Sequence, residues 1–344
     1  MTVPTTYRAM QVAAGGTLEL VERRTPSPGP DQVLIRVEAC GVCGADAADI
    51  GRADPALRPP RVPGHEVVGR IAALGANVPP RWTIGQRVGV GRLGGHCNQC
   101  GQCREGRFPL CRDQPVVGVS IDGGYAEIML ARSTGLVAIP DELDAIEAAP
   151  VLCAGIATFN ALRKSGAEAG DLVAVLGIGG LGHMAVQYAR RMGFRVAAVG
   201  RRQDIAHDAL GLGAHVYIDG NEVDAAEALN GMGGAAAIIA TVNDSSAVSG
   251  IAAGLAPGGR MVILGVGKAP LSLSPGLLVG GERTIVGSIT GSPRDNERAL
   301  AFSVLVDALP WVETLPFEQA NEACRRMKSG DARFRMVLTM GGRD

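Results

Sequence analysis

The chain has 344 residues, 47% of them hydrophobic and 19% charged, which is apolar enough for two packed domains and too apolar for a disordered chain. Its formal net charge is −1 and it has neither a long basic run nor a basic patch interleaved with aromatics, which speaks against nucleic acid or an anionic membrane surface as partner. The N-terminal stretch MTVPTTYRAMQVAAGGTLEL lacks a charged region followed by an apolar one, and no apolar run reads as bilayer length; a soluble cytoplasmic protein with no membrane partner is expected.

Residues 1–150 alternate short apolar runs with glycine and proline, as in QVLIRVEACGV, HEVVGRIAALG, QRVGVGRLGG and GYAEIMLA. This texture predicts short strands joined by turns, a small β-barrel or sandwich. Within it, at about 95–112, HCNQCGQCREGRFPLC sets Cys97, Cys100, Cys103 and Cys111 at C-x2-C-x2-C-x7-C spacing. Thiolates two residues apart can turn back onto one ion, and four complete a tetrahedral zinc shell with no position left for water or substrate. The expectation is a structural zinc; the alternative, free or disulfide-bonded cysteines, is disfavoured without an export signal.

Near residue 141 the texture changes, and DELDAIEAAPVLCAGIATFNALRKSG reads as a helix with an acidic start. From about 171, DLVAVLG, FRVAAVG, AAAIIATV and RMVILGV read as strands. HMAVQYARRMG, DIAHDALGLGA and SSAVSGIAAGLAPGG fall between them. That βαβαβ rhythm predicts a doubly wound parallel sheet. Gly177, Gly179, Gly180, Leu181 and Gly182 form a G-x-G-x-x-G turn between the first strand and its helix. Gly177 permits the tight turn, Gly179 lets backbone amides approach a pyrophosphate, and Gly182 lets helix and strand pack closely. The next strand ends at Gly200, followed by Arg201 and Arg202, where an NAD-binding unit would carry a carboxylate for the ribose. Missing repulsion and two guanidinium groups favour NADP(H) over NAD(H); a solvated turn that accepts either is the alternative. Val266, at the end of RMVILGV, is counted with the cofactor-binding residues. The tail adds a helix, FEQANEACRRMKSG, and a strand, RFRMVLTM.

Three further signals remain: Cys43 in ACGVCGADAAD, His65 and Glu66 in VPGHEVVGR, and Cys153 in PVLCAG. Two thiolates and an imidazole leave the fourth zinc position open, as catalytic zinc requires, and Asp46, three residues past Cys43, is placed to orient His65. Singly, each of these cysteines, like Cys40, reads as a small core residue and His65 as a satisfied histidine; their order beside a four-cysteine lobe and a glycine fingerprint makes them a set.

The chain resembles the zinc-dependent medium-chain dehydrogenase/reductase family, on its alcohol dehydrogenase side. GVCGAD, PGHEVVG, the four-cysteine lobe, DGGYAE, LCAG, GIGGLGH and ARFRMVLT match family blocks in family order across essentially the whole chain. The resemblance implies an α/β protein with a GroES-like β-rich catalytic domain over 1–150, a Rossmann dinucleotide-binding domain over 151–291, and a return to the catalytic domain over 292–344. It implies two Zn2+ per chain, with Cys43, His65 and Cys153 holding the active-site ion and Glu66 beside it or exchanging as a ligand. It further implies that Arg335 reaches the cofactor pyrophosphate, that the substrate is a small molecule, and that the protein is a homodimer or homotetramer, with GERTIVGSITG offering an edge strand to its symmetry mate.

Two hydroxyls of the family pattern are missing. Where Ser or Thr usually follows two residues after the zinc cysteine, this chain has Gly44-Ala45-Asp46, and where a Thr usually faces the nicotinamide it has Ala157, with Thr158 next to it. Losing a positioned proton-transfer group typically costs ~10²–10⁴-fold in rate. The expected activity is hydride transfer between nicotinamide and a carbonyl or alcohol carbon, without the relay hydroxyl at Ala45. Hydride delivery to a conjugated C=C or a C=N bond is the alternative, and a non-catalytic nucleotide-binding module a third reading. The loops expected to line the substrate pocket lie around Ala47–Arg61 and near Pro109–Val116.

Overall fold

The computed structural model of the chain describes residues 3–13, 15–51 and 60–341; the part of the expected pocket loop at 52–59 lies outside them. Two compact units share the chain. One comprises Met1–Cys153, Gly291–Val304 and Leu309–Asp344, the other Ala154–Thr290 and Leu305–Ala308.

The first unit opens with an antiparallel hairpin, β1 (Thr6–Val12) and β2 (Leu18–Arg24). Its main sheet grows around β3 (Gln32–Val42), which pairs antiparallel with β4 (Glu66–Leu74). β5 (Arg87–Val90), β6 (Ile128–Arg132) and β7 (Leu136–Ala138) extend it. β3 is almost continuously apolar because both its faces are buried, with Val33, Ile35 and Val42 fully enclosed.

The second unit is an all-parallel sheet in which each short Val/Ala/Ile run alternates with a helix: β8 (Leu172–Leu176), β9 (Arg195–Gly200), β10 (Val216–Asp219), β11 (Ala235–Ala240), β12 (Leu255–Ile263) and β13 (Thr284–Gly287). Strand order β10-β9-β8-β11-β12-β13 reverses direction of growth between β8 and β11, the switch point at which such sheets bind ligands. The unit has its own core, from Leu172 to Met261, with no residue shared with the core of the first.

The chain then returns. β14 (Val312–Pro316) runs parallel to β15 (Arg335–Thr339), and β15 pairs antiparallel with β3, Met336 opposite Val42. The buried run Arg335–Leu338 thereby brings the C-terminal segment into the sheet of the first unit.

The helix read from residue 141 differs in two respects. It is a regular helix only over Ala145–Pro150 and Ile156–Lys164; Val151–Gly155 between them forms a π-turn. Its start is a capping box, Asp144 accepting from Glu147 N (2.8 Å) and Glu147 from Asp144 N (3.4 Å). Taken whole, Ala145–Lys164 is 20 residues long and holds an 18-residue window apolar enough to cross a membrane by length and composition, which corrects the expectation that no segment reaches that length; 83% of that window is buried inside the folded chain, as in a core helix. The strand read as RMVILGV also begins earlier, at Leu255.

Candidate active site

Among the described residues two clusters of metal-ligating side chains form, both in the first unit: Cys97, Cys100, Cys103 and Cys111, and Cys43, His65, Glu66 and Cys153. In the lobe the sulfurs lie 3.6 Å apart for Cys100–Cys103 and Cys97–Cys111, and 4.0 Å for Cys97–Cys103 and Cys100–Cys111. A disulfide needs about 2.05 Å, whereas Zn–S bonds of about 2.3 Å in a tetrahedron separate sulfurs by about 3.8 Å. All four are free cysteines, and backbone N–H groups point at them: Gln99 and Cys100 donate to Cys97 Sγ, and Cys97 to Cys111 Sγ, each at 3.4 Å. Such donors stabilise thiolate. The N–H groups of Arg112 and Cys103 pull Cys100 down to about 6, while burial pushes Cys103 up to about 12. The lobe fits a zinc held by four sulfurs.

The second cluster gathers where strand ends meet. Cys43 follows β3 and caps the helix Gly44–Ile50, His65 immediately precedes β4, which Glu66 opens, and Arg335 opens β15. Cys153 comes from the π-turn, a device frequent at functional sites because it re-aims side chains out of helical register. Gly41, opposite Glu66 in the β3–β4 ladder, is required there: a Cβ would sit 1.9 Å from Glu66 Oε2. All four donor atoms lie within 4.8 Å of one another, and Cys43 and Cys153 sulfurs are 3.9 Å apart. His65 Nε2 and Glu66 Oε2 are buried with no hydrogen-bond partner among the described residues. Buried polar atoms left unpaired cost about 1–3 kcal/mol each, and an ion between the two sulfurs and Nε2 would satisfy the imidazole. The donor set fits zinc with one position open.

Asp46 supports this centre. It is 1% exposed; its Oδ1 takes His65 Nδ1 at 2.6 Å, and its Oδ2 accepts from Cys43 N (3.0 Å) and the Tyr125 hydroxyl (3.3 Å). The bond at Nδ1 leaves Nε2 as the free ring nitrogen facing the sulfurs. Burial drives His65 toward neutrality, yet the Asp46 charge and hydrogen bond, with Cys43, outweigh it and leave its pKa well raised. The hydrogen bond between the sulfurs draws Cys43 well down and holds Cys153 well up. Glu66 is lifted by burial to about 7, against the pull of Arg335. Arg335, expected at the pyrophosphate, is 3% exposed and its Nη2 donates to Glu66 Oε1. That pairing follows from the register of β15 on β3 and β3 on β4, which motif spacing does not carry.

The glycine turn lies in the second unit, between β8 and the helix Gly182–Arg191. Gly177 has φ +91, and a Cβ there would meet Val242 at 2.3 Å; a Cβ on Gly182 would lie 1.8 Å from Gly177 O. Both glycines answer to the protein's own packing. Gly179 does not: it is exposed and nothing stands within 4 Å of where its Cβ would be. The open space over Gly179, with Gly180 and Leu181 leading into a ten-residue helix, fits a pyrophosphate against amide donors. At the end of β9, a Cβ on Gly200 would come 2.4 Å from the Tyr217 hydroxyl, which donates to Arg202 O at 2.7 Å. Tyr217 thus occupies the space a carboxylate at position 200 would need, and no sequence motif pointed to it. Arg201 and Arg202 are exposed; Arg201 pairs with Asp244 (2.6 Å) and Arg202 Nε with Asp204 (3.0 Å). Val266 points outward, its backbone N–H tied to Asn243 Oδ1 at 2.7 Å.

Ala45 is partly exposed in the first turn of the helix Gly44–Ile50, and Thr158 turns its Oγ1 back onto Ala154 O (2.7 Å) and Gly155 O (3.1 Å).

Fold and site together define a two-domain oxidoreductase with a metal-ligating centre and a dinucleotide turn. Residues 29–141 match the alcohol dehydrogenase GroES-like domain, and 180–304 match the zinc-binding dehydrogenase domain. The chain is 41% identical over 345 residues to alcohol dehydrogenase notN of Aspergillus sp. (strain MF297-2), covering 99% of this chain and 100% of that one. It superposes on acetophenone reductase from Geotrichum candidum NBRC 4597 in complex with NAD (TM-score 0.86, 27% identity, 98% of each chain). It also superposes on CAD from Helicobacter pylori complexed with NADP(H) (TM-score 0.86, 25% identity, 98% of each chain). The chain belongs to the zinc-dependent medium-chain dehydrogenase/reductase family, and its relatives make it an oxidoreductase of the alcohol dehydrogenase kind.

Proposed function

We propose that the protein is a two-zinc, NADP(H)-preferring oxidoreductase that interconverts a carbonyl and an alcohol. The observation that carries this reading is the buried convergence of Cys43, His65 and Cys153 with an unpartnered imidazole nitrogen. When bound, zinc supplies a Lewis acid for the substrate oxygen and the nicotinamide supplies or takes the hydride. The chain's own residues do the rest. Cys43, His65 and Cys153 would hold the metal, with Glu66 near enough to exchange with a ligand. Asp46 fixes the His65 ring, and Arg335 holds Glu66 away from solvent. The glycine turn would hold the pyrophosphate.

Support for NADP(H) comes from Gly200, where Tyr217 leaves no room for a ribose-binding carboxylate, and from the two exposed arginines after it. One structural relative is complexed with NAD and another with NADP(H), so the preference rests on this chain's residues. The absence of a relay hydroxyl at Ala45 and Ala157 favours one second reading on the same scaffold, hydride transfer to a conjugated C=C or a C=N bond. For assembly, β13 ends the sheet and pairs only with β12 among the described residues, which supports a homo-oligomer joined at that edge.

Deuteride-labelled NADPH with product analysis separates the chemistries: label on a carbinol carbon supports carbonyl reduction, and label on a β-carbon or an amine carbon overturns it. In the same assays KM should be at least about tenfold lower for NADPH than for NADH. Cys153→Ser should reduce zinc from two to one per chain and lower kcat by about 10²-fold or more. Full turnover in that variant would refute the assignment.

A further inference from the structure

Tyr125 is wholly buried and belongs to neither ligand set. It sits in the loop segment Gly123–Tyr125, whose backbone is hydrogen-bonded to that of Val62–Gly64. Gly123 N donates to Val62 O (2.7 Å), Gly124 N to Gly64 O (2.9 Å) and Tyr125 N to Pro63 O (3.0 Å). The approach is close enough to require glycine, since a Cβ on Gly123 would fall 2.1 Å from Gly64 O. Gly64, which immediately precedes His65, has φ +99, and a Cβ there would meet Tyr125 Cδ1 at 2.4 Å. The aromatic ring therefore lies directly on the backbone of the turn that delivers His65.

The same side chain reaches the support of that imidazole from the other side. Its hydroxyl donates to Asp46 Oδ2 at 3.3 Å, the oxygen that also accepts from Cys43 N, while Oδ1 takes His65 Nδ1. Burial, then the charge of Asp46, raise the phenol well above its usual range, so it stays a donor. Cys324, from the helix Ala320–Ser329 of the C-terminal return, stands beside the same phenol. One side chain touches the carboxylate that aims His65 and the turn that carries it; the ring contact also fills the core, but the hydroxyl bond to Asp46 is not one that filling a core would demand.

We propose that Tyr125 is a positioning residue of the metal centre, its hydroxyl fixing Asp46 and its ring seating the turn before His65. This rests on the reading of that centre as a zinc site. The test is Tyr125→Phe, which keeps the ring, examined alone and with Asp46→Asn by competition of bound zinc against a chromophoric chelator. Wild type should release two zinc ions in two steps. In Tyr125→Phe the step belonging to the centre should weaken about 10–100-fold, the range for partners that orient a metal ligand, while the lobe step stays put. Cobalt substituted at the centre should show a shifted absorption spectrum. Because the hydroxyl acts through Asp46, Tyr125→Phe should add less than about twofold in the Asp46→Asn background. Unchanged affinity and spectrum, an additive penalty, or loss of both zinc ions together would each overturn the proposal. A wild type that binds only the lobe zinc would instead refute the zinc reading of the centre, before Tyr125 is touched.

Discussion

At the scale of single residues, Ala45 stands where the proton-relay hydroxyl of the family pattern is missing. The position is partly exposed, in the first turn of the helix Gly44–Ile50. Under the proposed carbonyl chemistry, the missing hydroxyl would leave solvent to exchange the proton with the substrate. If carbonyl reduction is the native chemistry, Ala45→Ser should raise kcat by about tenfold or more, toward the ~10²–10⁴-fold range of a positioned proton-transfer group. It should leave KM for NADPH unchanged, since the glycine turn is untouched. Steady-state kinetics in both directions checks this; no gain would mean that solvent already serves the site or that the native acceptor needs no such relay. Asp46 beside it was legible from its place three residues past Cys43, because that spacing stays within one turn of chain. Tyr125 and the Glu66–Arg335 pair were not, because they depend on which strands lie side by side.

At the scale of elements, the four-cysteine lobe contrasts with the strands around it. Over residues 97–111 regular structure is limited to the turns Gly101–Arg104 and Phe108–Leu110, and of the side chains only Cys103 and Cys111 are buried. So little apolar burial does little to offset the entropy of ordering the loop, so the proposed zinc would contribute much of its order. Cys103→Ser should therefore cost one zinc per chain and lower Tm by several degrees, with protease cuts appearing between residues 97 and 111. The second zinc should remain. A variant that keeps its Tm and resists proteolysis would show that the lobe holds its shape without the ion. This element was fully legible because all its ligands fall in one short stretch. The π-turn at Val151–Gly155 was not: helix periodicity predicts a continuous helix there, and only the need to bring Cys153 within 3.9 Å of Cys43 gives the irregularity a purpose. Alternation and glycine spacing likewise announced the parallel sheet, whereas the pairing of β15 with β3 joins segments far apart in sequence and has no local signature.

At the scale of the whole molecule, the two chemistries are divided between two cores. Both metal clusters belong to the first unit, whereas the glycine turn, Tyr217, Arg201 and Arg202 all belong to the second. The second unit's core contains no residue of the first, and its sheet is one continuous stretch of chain from β8 to β13. Its ability to fold around a dinucleotide therefore should not depend on zinc. Dialysis against a strong chelator, carried until both zinc ions are gone, should abolish turnover. The metal-free chain should still enhance and blue-shift NADPH fluorescence, with Kd within about threefold of the holoenzyme, since each contact assigned to the cofactor survives and a threefold change is only about 0.6 kcal/mol. Adding zinc back should restore turnover without tightening NADPH further. Loss of cofactor binding in step with the zinc of the centre would mean that the two units act as one cooperative body, and that the metal holds the nucleotide site together as well as the reaction centre.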